Sequence, residues 1–205
     1  MEKLDLKKIY KNLFSPSAKA PSIIEVPPLP FIMVDGHGDP NVAPEYAAAV
    51  QTLYGLAYTL KFHVRNTLGI DYGVSALEGL WWTGDMSTFS TSRKADWDWT
   101  MMILQPDLVT PALFEEARRQ AVAKGKAPLA AKARLETFHE GTCVQILYFG
   151  PYADEGPTIA SLHQYAKDQG YVLAGKHHEI YMNDPRKVAS EKMKTIIRQP
   201  VSKVG

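Results

Sequence analysis

Cysteine, net charge and long apolar runs are all scarce in this sequence. Cys143 is the single cysteine among 205 residues, so the chain cannot form an internal disulfide. The 23 Lys and Arg residues are balanced by 22 Asp and Glu residues, and a net charge of +1 gives no overall field that attracts nucleic acid or an anionic membrane. No apolar run approaches the ~20 residues of a membrane-spanning helix. Together with an N-terminus that lacks the apolar core of a signal peptide, these absences predict a cytoplasmic protein.

The composition that remains is that of a globular domain, 45% hydrophobic and 22% charged. Residues 1–30 include the proline-rich stretch "FSPSAKAPSIIEVPPLP" and are predicted to be an extended N-terminal arm. Residues 31–205 are predicted to form one domain. Because the arm is too short and too proline-rich for a helix-turn-helix module, DNA binding is not predicted.

Hydrophobic periodicity predicts that the order strand, helix, strand, strand occurs twice along the chain. The predicted elements are a strand from Phe31, a helix at 44–67, strands at 74–82 and 97–106, a helix at 110–124, a strand at 142–150, a helix at 154–170, and strands at 171–184 and 194–201. We expect an α+β fold in which two β-α-β-β repeats form antiparallel sheet with helices on one face. A central ligand cleft is expected on the side away from the helices.

The stretch "KHHEIYMNDPRK" at 176–187 places two histidines, a glutamate and a tyrosine in a predicted strand. A zinc-protease signature needs His-Glu-x-x-His on a helix, and Met182 stands where the second histidine belongs. Side chains alternate along a strand, so His177, Glu179 and Tyr181 share one face and His178 points to the other. On this spacing we predict neither a metal site nor a cofactor.

Motifs for nucleophilic catalysis and phosphate binding are incomplete. "GVSAL" at 73–77 lacks the second glycine of a nucleophile elbow, and "DGHGDP" at 35–40 lacks the lysine of a phosphate loop. Cys143 begins an apolar strand with no electropositive neighbour in the sequence. That position is typical of a buried structural cysteine rather than of a nucleophile.

The tryptophans are placed so that several of them can meet. Trp97 and Trp99 lie two residues apart in a predicted strand and share a face, whereas Trp81 and Trp82 lie on opposite faces of the preceding strand. Three of the four can therefore gather on one side of the sheet. Spacing alone favours core packing for this group over a ligand-binding cage, which remains the alternative.

Three tyrosines and one glutamate extend the candidate site. Tyr148 and Tyr181 lie on strands that are expected to neighbour the same region, and Tyr152 follows just after the first of them. Glu179, between apolar and aromatic neighbours, is costly to bury unless it is paired, hydrogen-bonded or kept for a ligand. A solvated strand face is the alternative, and the sequence leaves both open.

Five segments of the chain carry a resemblance to a known family. They are "FIMVDGHGDPN", "LEGLWW", "WTMMILQPDLVT", "VQILYFGPYADEGPTIASLHQYAKDQGY" and "GKHHEIYMNDPRKVASEKMKTIIRQPV". Together they resemble the GyrI-like small-molecule-binding family in its stand-alone branch, over residues 5–203. The most specific blocks are Gly-Pro-Tyr-x-x-Glu at 150–155 and His-Glu-Ile-Tyr-x-x-Asp-Pro at 178–185.

This resemblance implies two β-α-β-β repeats around a cleft lined by aromatic side chains, with Glu179 as the glutamate of the late strand. Some stand-alone members similar to this sequence hydrolyse the cyclopropane of DNA-alkylating natural products, so the chain resembles a cyclopropanoid cyclopropyl hydrolase. In that chemistry Glu179 is the base that orients or deprotonates water, and Tyr181 donates to the developing phenolate. The expected ligand-binding residues are Trp82, Trp97, Trp99, Tyr148 and Tyr152.

The expected partners are small planar aromatic or cationic ligands, with no nucleic acid, no membrane and no particular protein partner indicated. The main alternative to hydrolysis is a non-catalytic multidrug-binding protein or a sensor without a DNA-binding domain. A third interpretation, a protein that binds another protein, has little support in the sequence. Formation of product beyond one equivalent of the protein distinguishes hydrolysis from non-catalytic binding.

Overall fold

The computed structural model describes residues 2–86 and 91–204 as an α+β protein. Its helices are α1 (Leu6–Ile9), α2 (Lys11–Phe14), α3 (Pro44–Leu68), α4 (Pro111–Ala123) and α5 (Gly156–Asp168). Its strands are β1 (Glu2–Leu4), β2 (Ser22–Val26), β3 (Leu29–His37), β4 (Ile70–Tyr72), β5 (Leu77–Trp82), β6 (Asp98–Leu104), β7 (Arg134–Phe138), β8 (Gly141–Phe149), β9 (Tyr171–Leu173), β10 (His177–Tyr181) and β11 (Lys194–Lys203). Within these described ranges, no helix combines the length and apolarity needed to cross a membrane.

The strand, helix, strand, strand order does occur twice, as β3-α3-β5-β6 and as β8-α5-β10-β11. The pairings of β3 with β6, of β8 with β11 and of β10 with β11 are antiparallel, which confirms the predicted fold class. One long strand predicted at 171–184 is instead two, β9 and β10. The chain turns between them at Gly175, whose φ of 60° lies in the left-handed region that glycine adopts readily.

The long helices begin where local chemistry predicts. Thr110 precedes α4 and its hydroxyl accepts a hydrogen bond from the main-chain N–H of Leu113, while Pro111 occupies the first turn. α3 also opens with a proline, and it ends at Gly69 with a left-handed φ of 70°. These boundaries agree with the predicted helices to within a few residues.

The chain divides into two compact units. The first contains Met1–Ile9, Leu29–Ser75 and Trp81–Phe138, and the second contains Tyr10–Pro28, Ala76–Leu80 and His139–Gly205. The first unit contains β3, α3 and β6 of the first repeat, and the second unit contains the whole second repeat. β5 is divided, because its residues up to Leu80 belong to the second unit and those from Trp81 belong to the first.

In the first unit, α3 packs against β3 and α4. β3 pairs in antiparallel fashion with β6 on one side and β7 on the other, and the short strands β1 and β4 form a parallel pair. The buried side of α3 includes Ala49, Leu53, Leu56, Leu60 and Val64, which recur at helical spacing and place the core under that helix.

In the second unit, β8 pairs with β2 and β11, and β11 pairs also with β10 and β9. One sheet face packs against α5 through Val144, Ile146, Leu162, Ala166, Ile197 and Val201. The N-terminal segment contributes to this unit as well, since the Leu13 carbonyl accepts a hydrogen bond from Arg198 and the Asn12 carbonyl accepts one from Gln145.

Residues 1–30 are therefore more than the extended arm that their proline content predicts. They contain the short helices α1 and α2 and the strands β1 and β2, and β3 begins at Leu29. Leu13 and Phe14 are buried, so this segment has apolar anchors that composition alone did not reveal.

Candidate functional site

Strand β10 carries three polar side chains on one face, as strand alternation predicts. The Tyr181 hydroxyl donates to Oε2 of Glu179 at 2.8 Å, and Nε2 of His177 lies 3.1 Å from Oε1 of the same carboxylate. The His177 side chain is buried, and the Glu179 side chain is 15% exposed. Glu179 is thus a largely buried carboxylate with a partner on each oxygen.

The turn before α5 brings a second carboxyl group to this place. Glu155 lies at the N-terminal boundary of α5, is 3% exposed and is close enough to Glu179 to help lower the pKa of that carboxyl. Tyr152, from a short 3-10 turn at Tyr152–Asp154, packs edge-on against Tyr181 with ring centroids 5.5 Å apart and planes at 75°. The two most specific sequence blocks therefore converge on Glu179.

The electrostatics keep Glu179 ionised. Burial by itself raises the pKa of this carboxyl, because a charge is poorly solvated inside the protein. The hydrogen bond and charge of His177, together with the hydrogen bond from Tyr181 and the nearness of Glu155, outweigh burial and hold the pKa of Glu179 below its ordinary value of 4.5. Near neutral pH the Glu179 carboxylate is ionised and can attract a cation or orient water.

This carboxylate lies on the same sheet face as α5. Glu179 is paired with Ile197 across β11, and Ile197 is paired with Ile146 on β8. Side chains directly opposite one another on paired strands point the same way, and both isoleucines pack with Leu162 of α5. Within the second unit, the structure therefore places the Glu179 side chain on the α5 side of the sheet, and the position of the ligand cleft stays a prediction.

Tyr148 shares that face and contributes to the shape of the turn. Its hydroxyl donates to the main-chain carbonyl of Pro151 at 3.0 Å, and its ring packs against the core beside α5. Gly150 has a φ of 139°, and a Cβ there would meet the Tyr148 hydroxyl oxygen at 2.5 Å. Burial raises the pKa of Tyr148, with Glu155 and Asp154 adding to the rise. In this structure Tyr148 braces the turn that carries Glu155.

The tryptophans of the first unit form an aromatic cluster. The rings of Trp81 and Trp97 are 5.5 Å apart between centroids. Tyr46 of α3 lies 6.0 Å from Trp81 and 5.4 Å from Trp99. Three of the four tryptophans thus meet on one side, as their strand positions predict, while alternation points the half-buried Trp82 the other way.

Within this cluster Trp99 is a core residue. It is 0% exposed, and its Nε1 donates to the Gly38 carbonyl at 3.2 Å. A Cβ on Gly36 would lie 2.1 Å from the Trp99 ring, so this glycine makes room for the indole. Trp97 is also buried, with the Lys94 ammonium 5.5 Å from its ring centroid. The ligand contacts of Trp82, Trp97 and Trp99 stay predictions.

The other face of β10 holds His178 in a buried ionic network. Nδ1 of His178 lies 2.9 Å from Glu140 and Nε2 lies 3.0 Å from Glu78. The Arg198 guanidinium donates to Glu140 at 3.3 Å and to the Leu13 carbonyl at 2.9 Å. All four ionisable side chains are almost completely buried. Two negative and two positive groups balance one another here.

The charge state of His178 follows from its neighbours. Burial lowers the pKa of the imidazole, but the charges and hydrogen bonds of Glu140 and Glu78 outweigh burial and raise it to about 9. The pKa of Glu140 is in turn held low by His178 and Arg198 in spite of burial. His178 is therefore a protonated scaffold residue. Across the described ranges, no three His, Cys, Asp or Glu side chains are arranged to hold a metal ion.

With this geometry established, sequence comparison adds the family. Residues 19–202 match the GyrI-like small molecule binding domain. The chain belongs to the GyrI-like small-molecule-binding family. Comparison with curated proteins gives no match.

Solved structures of two Listeria innocua proteins resemble this GyrI-like chain over nearly its whole length. An uncharacterized conserved protein is 40% identical with a TM-score of 0.90, covering 97% of this chain and 100% of the other. A hydrolase is 39% identical with a TM-score of 0.88, and the match covers 98% of this chain and 100% of the hydrolase. The C-terminal domain of EcmrR is 15% identical with a TM-score of 0.56, and the match covers 90% of this chain and 98% of that domain. At this identity the likeness is one of fold alone.

Two residues of this GyrI-like site were not predicted from the sequence. Glu155 ends the Gly-Pro-Tyr-x-x-Glu block and directly precedes the Gly-Pro start of α5. Its place in one of the two most specific blocks is the feature of the sequence that could have indicated a role in the site. His177 lies two residues before Glu179, and strand alternation already placed both on one face. Glu155 precedes Glu179 by 24 residues in the chain, and no local pattern predicts that segments so far apart meet.

Proposed function

We propose that this GyrI-like protein binds planar aromatic or cationic xenobiotics and hydrolyses the cyclopropane of DNA-alkylating natural products, a detoxification reaction. The observation that carries the proposal is the ionised Glu179 beside the Tyr181 hydroxyl, 2.8 Å apart. Hydrolysis as the reaction class is supported by the Listeria innocua hydrolase that is 39% identical to this chain.

In the proposed reaction, water attacks a cyclopropane carbon that is conjugated to a dienone. A carbon–oxygen bond forms and a carbon–carbon bond of the strained ring breaks, and the electron pair moves to the carbonyl oxygen, which becomes a phenolate. Glu179 accepts the proton of the attacking water, and Tyr181 turns its hydroxyl toward the developing oxyanion. The phenolate then takes up the proton held by Glu179, which regenerates the base, and the product is the substrate plus one water.

The same groups account for ligand binding. The rings of Tyr152 and Tyr181 are perpendicular neighbours, and each ring face that stacks on a flat ligand contributes on the order of 1 kcal/mol beyond area burial. The charge of Glu179 and the negative ring faces both attract a cation. A planar substrate and a lipophilic cation are therefore expected to compete.

Ring opening can be tested by incubating the protein with a cyclopropane-bearing alkylator and following the product by mass spectrometry. We expect a product heavier by one water, formed in molar excess over the protein and faster than in buffer alone. Disappearance of free alkylator limited to one equivalent, without a hydrated product, would contradict catalysis.

That contrary result would support the second candidate, a non-catalytic multidrug-binding protein or sensor. One observation favours it: the hydrogen bonds that keep the pKa of Glu179 below 4.5 also weaken this carboxylate as a base. A carboxylate that stays ionised but is a weak base is suited to attracting cations. Turnover number decides between the two functions.

Replacing Tyr152 with alanine is expected to weaken binding of a planar aromatic ligand by about tenfold, because the variant loses one ring face beside Tyr181. Tyr152 is 39% exposed, so the fold should tolerate the change. Tyr58→Ala, at a 49% exposed tyrosine of the first unit, is the matched control and should bind normally. Titration calorimetry measures both, and equal affinity in the two variants would remove Tyr152 from the site.

A further inference from the structure

Thr195 of β11 lies on the sheet face that carries Glu179. Its cross-strand partners are Tyr181 on β10 and Tyr148 on β8. Side chains directly opposite one another on paired strands point the same way, so Thr195 lies between two aromatic residues of the candidate site. Thr195 is 0% exposed and therefore forms part of the buried floor of that site.

The hydroxyl group of Thr195 distinguishes this position from an ordinary core position. Its oxygen is buried and forms no hydrogen bond with any residue that the structure describes. A buried hydroxyl without a partner destabilises a fold, whereas valine has nearly the same shape and the same preference for strands without that cost. The threonine is explained if its hydroxyl binds a group that the protein itself does not supply.

Two other buried threonines show the usual arrangement. Thr100 of β6 is 2% exposed, and its hydroxyl donates to Oδ1 of Asp35 at 2.7 Å. Thr52 of α3 is 0% exposed, and its hydroxyl accepts a hydrogen bond from the main-chain N–H of Leu129 at 2.9 Å. Burial of a threonine in this fold does not by itself leave the hydroxyl without a partner.

Strand register also places Thr195 diagonally from Glu179, because Glu179 is paired with Ile197, two residues further along β11. Diagonal neighbours on one face of an antiparallel pair lie about 7 to 8 Å apart. A water with hydrogen bonds of about 2.8 Å to two oxygen atoms spans about 5.6 Å between them. A carboxylate has about four acceptor positions, so Glu179 can accept from a water as well as from Tyr181.

We propose that Thr195 and Glu179 together bind one water molecule and that this water is the nucleophile of the proposed hydrolysis. The Thr195 hydroxyl donates to the water oxygen, and the water donates one hydrogen to Glu179. A lone pair of the water oxygen then faces the ligand above the sheet. As the carbon–oxygen bond forms, that proton passes to Glu179, and the hydrogen bond from Thr195 keeps the attacking lone pair in place. The inference rests on the proposed function and adds the residue that positions the water.

The activity test compares Thr195→Val with Thr195→Ser. Valine lacks the hydroxyl, so kcat should fall about tenfold with little change in KM, because the ligand still binds but its water is no longer held. Serine keeps the hydroxyl and should retain most of the activity. Thr100→Val is the matched control, since it removes a hydroxyl that is bonded to Asp35. It should keep the wild-type kcat and lose more thermal stability than Thr195→Val.

A high-resolution crystal structure gives a readout that does not depend on turnover. The wild type should show an ordered water within about 3.2 Å of both Oγ1 of Thr195 and a carboxylate oxygen of Glu179, and Thr195→Val should lack it. If the wild type holds this water but does not hydrolyse the alkylator, the hydrolysis is wrong and the water site stands. A wild type without this water, or a folded Thr195→Val variant with the wild-type kcat, would overturn the inference.

Discussion

Replacing Glu179 with glutamine is expected to lower the rate of cyclopropane opening by about 10²-fold or more while leaving the fold nearly intact. Glutamine has the same shape and still offers a carbonyl oxygen to the Tyr181 hydroxyl, 2.8 Å from Oε2 in the native protein. It cannot accept a proton from water and carries no charge. Initial rates by liquid chromatography and mass spectrometry, with thermal unfolding as the folding check, measure the effect.

Two further variants sharpen this experiment. Tyr181→Phe should reduce the rate by a smaller factor, because it removes one hydrogen-bond donor to the developing oxyanion and leaves the base in place. Glu191→Gln, at an exposed glutamate of the same unit, makes the same chemical change away from the site and should be active. Wild-type activity in Glu179→Gln would refute the mechanism, and so would a loss of activity on adding a chelator.

Replacing His178 with glutamine is expected to lower the free energy of unfolding by about 3 to 5 kcal/mol, the range for breaking a buried ion pair. The variant leaves Glu78 and Glu140 buried without the positive charge that lies between them at 3.0 and 2.9 Å. Since His178 points away from Glu179, hydrolysis by the folded variant should be spared. Urea denaturation at pH 6 gives the change in stability.

The same histidine should make stability depend on pH. Its pKa rises from the ordinary 6.5 to about 9 on folding, so the folded protein binds a proton more tightly than the unfolded chain. This contribution is complete below about pH 6.5 and is lost as the pH rises through about 9. We expect the wild type to lose stability across that window and His178→Gln to lose less.

His37 provides a matched control for both measurements. It lies 2.9 Å from Asp98, but its side chain is 64% exposed, and exposed ion pairs contribute little. His37→Gln should therefore keep the wild-type stability and its pH dependence. If it changes stability as much as His178→Gln does, or if His178→Gln keeps the wild-type pH slope, the buried network is not the cause.

Local patterns accounted for the elements and for the faces of the critical strand. Thr110 and Pro111 marked the start of α4 because capping depends on neighbours within one turn of helix. The alternation along β10 separated Glu179 and Tyr181 from His178, since strand side chains point to opposite faces with a period of two.

The sequence by itself thus determined the order of the elements, the antiparallel α+β class and the division of β10 into two faces, because all of these follow from short-range periodicity. Only the tertiary structure decided what each face meets. Strand register put Glu179 on the side of α5, and a turn 24 residues earlier in the chain supplied Glu155. Folding also joined His178 to Glu78, 100 positions away, and buried Trp99 over Gly36. Contacts between distant segments depend on how elements pack, which no local pattern encodes.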